Sequence, residues 1–136
     1  MIKSSVSVLI FTLLNSKDIL QQKSNYQLFN RVNKELGPGF LESVYKHTIA
    51  YEFTKNKFHY EKEKLLRTKY KDTIIDKAFY ADFVIENKII LEIKTVKNFE
   101  NIHYAQLLNY LKATGLRVGY LINFGKLKLE WKRMIY

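Results

Sequence analysis

The stretch ADFVIENKIILEIKTV, from Ala81 to Val96, decides the fold because it predicts a β-hairpin at the centre of the chain. Two apolar segments rich in β-forming residues flank a polar turn at residues 86–88. Three charged residues, Asp82, Glu92 and Lys94, interrupt these segments. An isolated buried charge is costly, and proteins usually neutralise it, pair it or bind it to a metal ion. The hairpin therefore needs an explanation for its three charges.

The register of this hairpin predicts a metal site. With a three-residue turn at 86–88, Asp82 lies directly opposite Glu92, and opposed residues share a face with Cβ atoms about 4.5–5.5 Å apart. Alternation places Lys94 on the face of Glu92. Two ionised carboxylates this close repel each other unless a cation lies between them. Oxygen ligands completed by water are typical of Mg²⁺ or Mn²⁺.

An alternative is that the three charges line a solvated face of the sheet. The same face is predicted to carry four apolar or aromatic residues, namely Tyr80, Val84, Ile90 and Val96. These residues favour a covered face, on which the charges require partners.

Composition limits the class of protein. The chain has 136 residues, which is the size of one domain, and it contains no cysteine, so disulfides and thiolate metal sites are excluded. Its formal net charge of +10 favours a polyanionic partner such as nucleic acid. The alternative is a lysine-rich surface that simply contacts solvent.

Working outward from the hairpin, the sequence predicts an α/β domain around a mixed sheet. Apolar residues at helical spacing predict three helices, and alternating or β-branched segments predict the strands. The predicted helices are Asn25–Leu36, Leu41–Lys57 and Asn101–Thr114. The predicted strands are one or two between Tyr60 and Ile75, then Phe79–Ile85, Ile89–Val96, Arg117–Phe124 and Lys126–Tyr136.

The first 24 residues are predicted to form an N-terminal extension of uncertain structure, before a domain at residues 25–136. The apolar run Val6–Leu14 is much shorter than the roughly 20 residues that span a bilayer. No small-residue cleavage pattern follows it, so a cytoplasmic protein is favoured over a secreted one.

Three motifs resemble those of one nuclease superfamily. Asp82, followed by Glu92-Ile93-Lys94, resembles the D…(D/E)-x-K signature of the PD-(D/E)XK superfamily, with Ala81 in place of the proline. The segment Gly39–Tyr45 matches the GxxExxY motif that names one family within it. The segment Gln106–Tyr110 is similar to the Q-x-x-x-Y motif of RecB-type nucleases. The motifs occur in the superfamily's order, and the predicted elements fit its restriction-endonuclease-like αβββαβ core.

This resemblance, which covers about Asn25 to Tyr136, implies a role for each matching residue. It implies the catalytic residues Lys94, Glu42, Asp82 and Glu92. It implies a metal held by Asp82, Glu92, the Ile93 carbonyl and Glu42. Residues predicted to contact nucleic acid are Gln106, Tyr110, His103 and Lys97, the last because it directly follows the catalytic strand.

The leading hypothesis is thus a Mg²⁺- or Mn²⁺-dependent nuclease that hydrolyses phosphodiester bonds in DNA and has no membrane partner. A homodimer is a further expectation, because many nucleases of the superfamily dimerise to cut two strands. The alternative is a catalytically silent module that keeps the nuclease fold and binds nucleic acid. A third hypothesis is a membrane-surface protein that uses Val6–Leu14 and the basic patches.

Overall fold

A computed structural model describes residues 23–136, in which two helices are followed by three strands, a third helix and two further strands. The predicted N-terminal extension therefore lies almost entirely outside the described residues. The helices are α1 (Lys23–Leu36), α2 (Glu42–Lys55) and α3 (Asn101–Thr114). The strands are β1 (Tyr60–Tyr70), β2 (Thr73–Ile85), β3 (Ile89–Lys94), β4 (Val118–Asn123) and β5 (Glu130–Ile135). None of the described helices is long and apolar enough to cross a membrane.

The strands form one mixed sheet in the order β1-β2-β3-β4-β5. Strands β1, β2 and β3 form an antiparallel meander, β3 and β4 are parallel, and β5 returns antiparallel to β4. The parallel pair needs a crossover connection, which α3 supplies. The predicted α/β class and mixed sheet with flanking helices are confirmed.

Helices cover the sheet on both faces, so the structure has three layers. Helices α1 and α2 bury one face through a cluster that includes Phe29, Ile49, Phe53 and Phe83. Helix α3 buries the other face through Leu107 and its neighbours in a second cluster. Coverage on both faces explains why β3 is almost continuously apolar, because neither face contacts water.

The turn that connects β2 and β3 lies at residues 86–88, as predicted. Other boundaries differ from the sequence prediction. The strand predicted to begin near Phe79 is a 13-residue strand that begins at Thr73. Strand β3 ends at Lys94 and not at Val96, and the last strand begins at Glu130 and not at Lys126.

Candidate active site

The two hairpin carboxylates lie side by side at the end of the β2–β3 pairing. The pairing of β2 with β3 ends at Phe83 and Leu91, and Asp82 and Glu92 are the next residues on the two strands. The backbone N–H of Asp82 donates a hydrogen bond to Glu92 Oε1 over 3.3 Å. The backbone N–H of Ile93 donates to Asp82 Oδ2 over 2.7 Å, which fixes that carboxylate against β3.

Both carboxylates are buried, with only 5% of Asp82 and 2% of Glu92 exposed. Burial raises the pKa of Glu92 well above its usual value, and the neighbouring charge of Asp82 raises it further. Lys94 opposes this shift without cancelling it. The raised pKa means that the surrounding side chains do not fully compensate the ionised form of Glu92, so a cation bound beside it would favour that form.

Lys94 is held by Gln106 of α3, which is in turn held by Tyr110. Its ammonium donates to Gln106 Oε1 over 2.7 Å, and Gln106 Nε2 donates to the Tyr110 hydroxyl over 3.1 Å. Gln106 and Tyr110 are four residues apart, so they lie on one helix face, which covers the side of β3 that carries Lys94. Burial, followed by the charge of Glu92, raises the pKa of Tyr110. The structure thus brings together three of the predicted residues in one hydrogen-bonded row.

Glu42 is connected to the site through a residue that the sequence analysis did not select. Lys46 lies one turn after Glu42 on α2, and its ammonium is 3.3 Å from Glu42 Oε1 and 2.7 Å from Asp82 Oδ1. Burial lowers the pKa of Lys46, but the hydrogen bond and charge of Asp82, helped by Glu42, outweigh this and raise it overall. The i,i+4 spacing from Glu42 was the signal available in the sequence.

The donor set fits a hard divalent cation. Asp82 and Glu92 supply carboxylate oxygens beside each other, and the Lys46 ammonium already occupies a position suited to a cation. Within residues 23–136, no three carboxylate or imidazole side chains form a ready-made cage for a metal ion. Besides Asp82 and Glu92, a metal here would be completed by backbone carbonyl, water or substrate oxygen, as is common for Mg²⁺, with Glu42 the nearest further carboxylate on α2.

Tyr45 supports the corner that precedes the site. Its ring is fully buried and stacks on Phe124, with centroids 4.9 Å apart. Its hydroxyl donates a hydrogen bond to the Gly37 carbonyl and receives one from the Phe40 N–H over 3.4 Å. The tyrosine of the GxxExxY segment therefore fixes the Gly-Pro-Gly corner against the start of α2, which carries Glu42.

Two predicted nucleic-acid contacts lie apart from the hydrogen-bonded row. His103 accepts a hydrogen bond from the Glu100 N–H over 2.8 Å in a capping box, so it stabilises the start of α3. Lys97 is exposed in the loop after β3. The structure does not place His103 against Asp82 or Lys94 by any hydrogen bond.

The backbone after Lys94 is fixed by a polar clamp that the sequence analysis also missed. The side chain of the fully buried Asn123 accepts from the Val96 N–H over 3.0 Å and donates to the Val96 carbonyl over 2.7 Å. A Cβ on Gly125 would lie 2.6 Å from both of these backbone atoms, so only glycine allows the approach. The Phe124 N–H donates to the Lys94 carbonyl over 2.8 Å. These bonds keep Lys94 in place at the end of β3.

An antiparallel hairpin with opposed carboxylates, followed by a lysine and enclosed by helices on both faces, defines a restriction-endonuclease-like fold. A profile of the PD-(D/E)XK nuclease superfamily matches residues 20–134. The chain belongs to that superfamily, whose members generally use divalent metal ions. Among proteins of curated function, none matches this chain.

Two crystal structures share the fold at low sequence identity. The structure of SSO0001 has a TM-score of 0.54 and 19% identity, and covers 68% of this chain. An alkaline exonuclease from Laribacter hongkongensis has a TM-score of 0.51 and 11% identity, and covers 89% of this chain. The chain spans about half of SSO0001, at 48%, and 74% of the exonuclease.

Proposed function

We propose that this protein is a Mg²⁺- or Mn²⁺-dependent nuclease that hydrolyses phosphodiester bonds in DNA. The observation that carries the proposal is the buried pair of Asp82 on β2 and Glu92 on β3, with Lys94 two residues after Glu92 on β3. A buried carboxylate pair destabilises a protein unless a proton or a cation compensates its charge, which supports a bound metal ion. The net charge of +10 supports a polyanionic substrate.

Asp82, Glu92 and the Ile93 carbonyl are the groups that would hold the metal, with Glu42 contributing directly or through water. The metal, when bound, lowers the pKa of a water molecule and neutralises charge on the scissile phosphate. The protein's own contribution is to fix these oxygens, since the Ile93 N–H and the β2–β3 register set the orientation of Asp82.

Lys94 is proposed to orient the attacking water and to stabilise the negative charge that develops on the phosphate. Its ammonium has three donors, of which Gln106 receives one, so the others remain available for water and phosphate oxygen. Gln106, in turn bonded to Tyr110, holds the ammonium at the end of β3. Exposed Lys97, directly after the catalytic strand, is proposed to contact the DNA backbone, and His103 near the start of α3 is proposed to do the same.

The segment Gly39–Tyr45 supports assignment to the GxxExxY family as a finer proposal. A homodimer belongs to the same proposal, because one site per chain makes one cut and duplex DNA has two strands. Light scattering with and without duplex DNA measures the number of chains directly.

The test is cleavage of labelled single- and double-stranded DNA with and without Mn²⁺. We expect Lys94→Ala and Glu92→Gln each to lower the rate by about 10²-fold or more, because each removes a group that acts on the transition state. Lys34→Ala is the matched control, since Lys34 is an exposed lysine on α1. Equal cutting by all four proteins would assign the activity to other residues or to a contaminant.

A second candidate function has its own supporting observation. Lys46 contacts Glu42 and Asp82, and the described carboxylates form no ready-made cage, as a metal-free binding module would also show. Such a module binds DNA equally well with Mg²⁺ and with a chelator, and its affinity falls steeply with salt. It shows no cleavage at any metal concentration, which distinguishes it from the leading proposal.

A further inference from the structure

The ammonium of Lys46 is surrounded by carboxylates from three separate elements. Besides Asp82 on β2 at 2.7 Å and Glu42 on α2 at 3.3 Å, it lies 3.8 Å from Glu63 on β1. Only 17% of the Lys46 side chain is exposed. The pairing with Asp82, whose side chain is 7% exposed, is therefore shielded from solvent, unlike an ordinary surface ion pair.

Lys46 occupies the one oxygen of Asp82 that the backbone leaves available. Asp82 Oδ2 accepts the Ile93 N–H, whereas Oδ1 faces the Lys46 ammonium. A divalent cation binds carboxylate oxygen at about 2.0–2.6 Å, so an ammonium at hydrogen-bond distance from Oδ1 competes with it for this oxygen and repels it. The catalytic lysine does not have this role, because its ammonium bonds to Gln106.

We propose that Lys46 is an internal counterion that holds the carboxylates of the metal-free site and must leave Asp82 when a divalent metal binds. This inference rests on the metal-dependent function proposed above. It assigns Lys46 as a positioning residue and makes metal binding a competition between two cations for one oxygen. Without such a residue the metal-free chain would bury Asp82 with no cation beside it, which is strongly unfavourable.

Glu63 provides a second position for the displaced ammonium. Its side chain is 50% exposed, so Lys46 can remain paired there while its ammonium moves away from Asp82. Glu63 also has a left-handed backbone with a φ of 52° in the middle of β1. That conformation is uncommon outside glycine, and such outliers cluster at functional sites.

The first experiment compares thermal unfolding with a chelator and with saturating Mg²⁺. Lys46→Gln should melt lower than the wild type without metal, and the added metal should raise its melting temperature by more. Calorimetry should show that Lys46→Gln binds Mn²⁺ at least about 10-fold more tightly than the wild type does, since the competing charge is gone. Lys64→Gln, which removes a lysine paired with Glu61 elsewhere on β1, should respond to metal as the wild type does.

A second measurement on the wild type separates displacement from simple charge repulsion. In ¹⁵N-lysine spectra the Lys46 ammonium signal, assigned with Lys46→Arg, should shift or vanish as Mg²⁺ is added, while Lys64 stays unchanged. A Lys46 signal that is constant while metal binds would overturn the inference.

The outcomes also separate this inference from the proposed function. Metal binding to Lys46→Gln alone supports the counterion and contradicts a metal-dependent nuclease in the native chain. Equal metal affinity in both proteins contradicts the counterion and leaves the nuclease standing. No metal binding in either protein contradicts both.

Discussion

The two halves of strand β2 are one continuous element with opposite surroundings. Residues from Thr73 to Ala78 are exposed, whereas every residue from Ala81 to Ile85 is buried. The buried half pairs with β1 and β3 and is covered by helices, while the exposed half pairs with β1 alone. Asp82 lies close to the point where strands β1 and β2 extend beyond β3 as a two-stranded arm, residues 67–79.

The same type of residue therefore has a different consequence in each half. In the arm, Asp76 and Lys77 are exposed and keep most of their hydration. Six residues further on, Asp82 is buried and must find a partner, which it does in Lys46 and the Ile93 N–H. A buried charge such as Asp82 therefore indicates a functional site, whereas an exposed charge such as Asp76 is ordinary for a protein surface.

The largest expected difference between the halves is in apolar contact. Phe83 is fully buried among Phe53 and Tyr60, so Phe83→Ala should lower the free energy of unfolding by about 3–5 kcal/mol. Ile74 is 58% exposed in the arm, so Ile74→Ala should cost less than about 1 kcal/mol. Urea unfolding of both variants with a chelator measures the two values. Similar losses would mean that the arm is packed against something in solution.

The buried half of β2 could be predicted from the sequence better than the exposed half. The buried half was predicted with its turn because a covered strand must be apolar and its charged residues are conspicuous, and Asp82 and Glu92 lie next to each other. The arm was predicted as separate strands, one or two between Tyr60 and Ile75 and another from Phe79, because a strand exposed on both faces has no alternation of apolar and polar residues. Tyr80 was expected to be covered but is 54% exposed, whereas its neighbour Phe79 packs against Tyr110 of α3.

Long-range partners were not predictable from a local pattern. Lys46 meets Asp82 across 36 positions of sequence, and only its spacing from Glu42 hinted at the site. The end of β3 was predicted two residues too late because Val96 bonds to the Asn123 side chain and not to a strand. Such contacts depend on how α2 and β4 pack, which alternation along one strand does not determine.

A matched pair of aspartates tests whether burial alone makes the difference. Asp82→Asn should lower the free energy of unfolding by about 1–3 kcal/mol, because it leaves the half-buried Lys46 without its strongest partner. Asp76→Asn, in the same strand, should change it by less than about 0.5 kcal/mol. Denaturant unfolding without metal gives both values. An equal effect at the two positions would show that Lys46 does not depend on Asp82.

The smallest expected effect on stability is that of Glu92→Gln, and this substitution should stabilise the protein where the preceding ones destabilise it. Because the folded pKa of Glu92 is raised, the folded protein binds its proton more tightly than the unfolded chain does. The metal-free protein should therefore lose stability as the pH rises from the unfolded value of about 4.5 through the raised folded pKa.

Glu92→Gln removes this titration while keeping the shape and an oxygen that can accept the Asp82 N–H. Above the raised pKa, we expect the variant to melt about 3–5 °C higher than the wild type, although it should no longer cut DNA. Melting curves from pH 4 to pH 8 with a chelator test this, and saturating Mg²⁺ should reverse the order, because only the wild type keeps both carboxylates. A variant less stable than the wild type at pH 8 would show that the ionised Glu92 is already compensated by the protein's own residues, in which case its burial would give no reason to infer a metal.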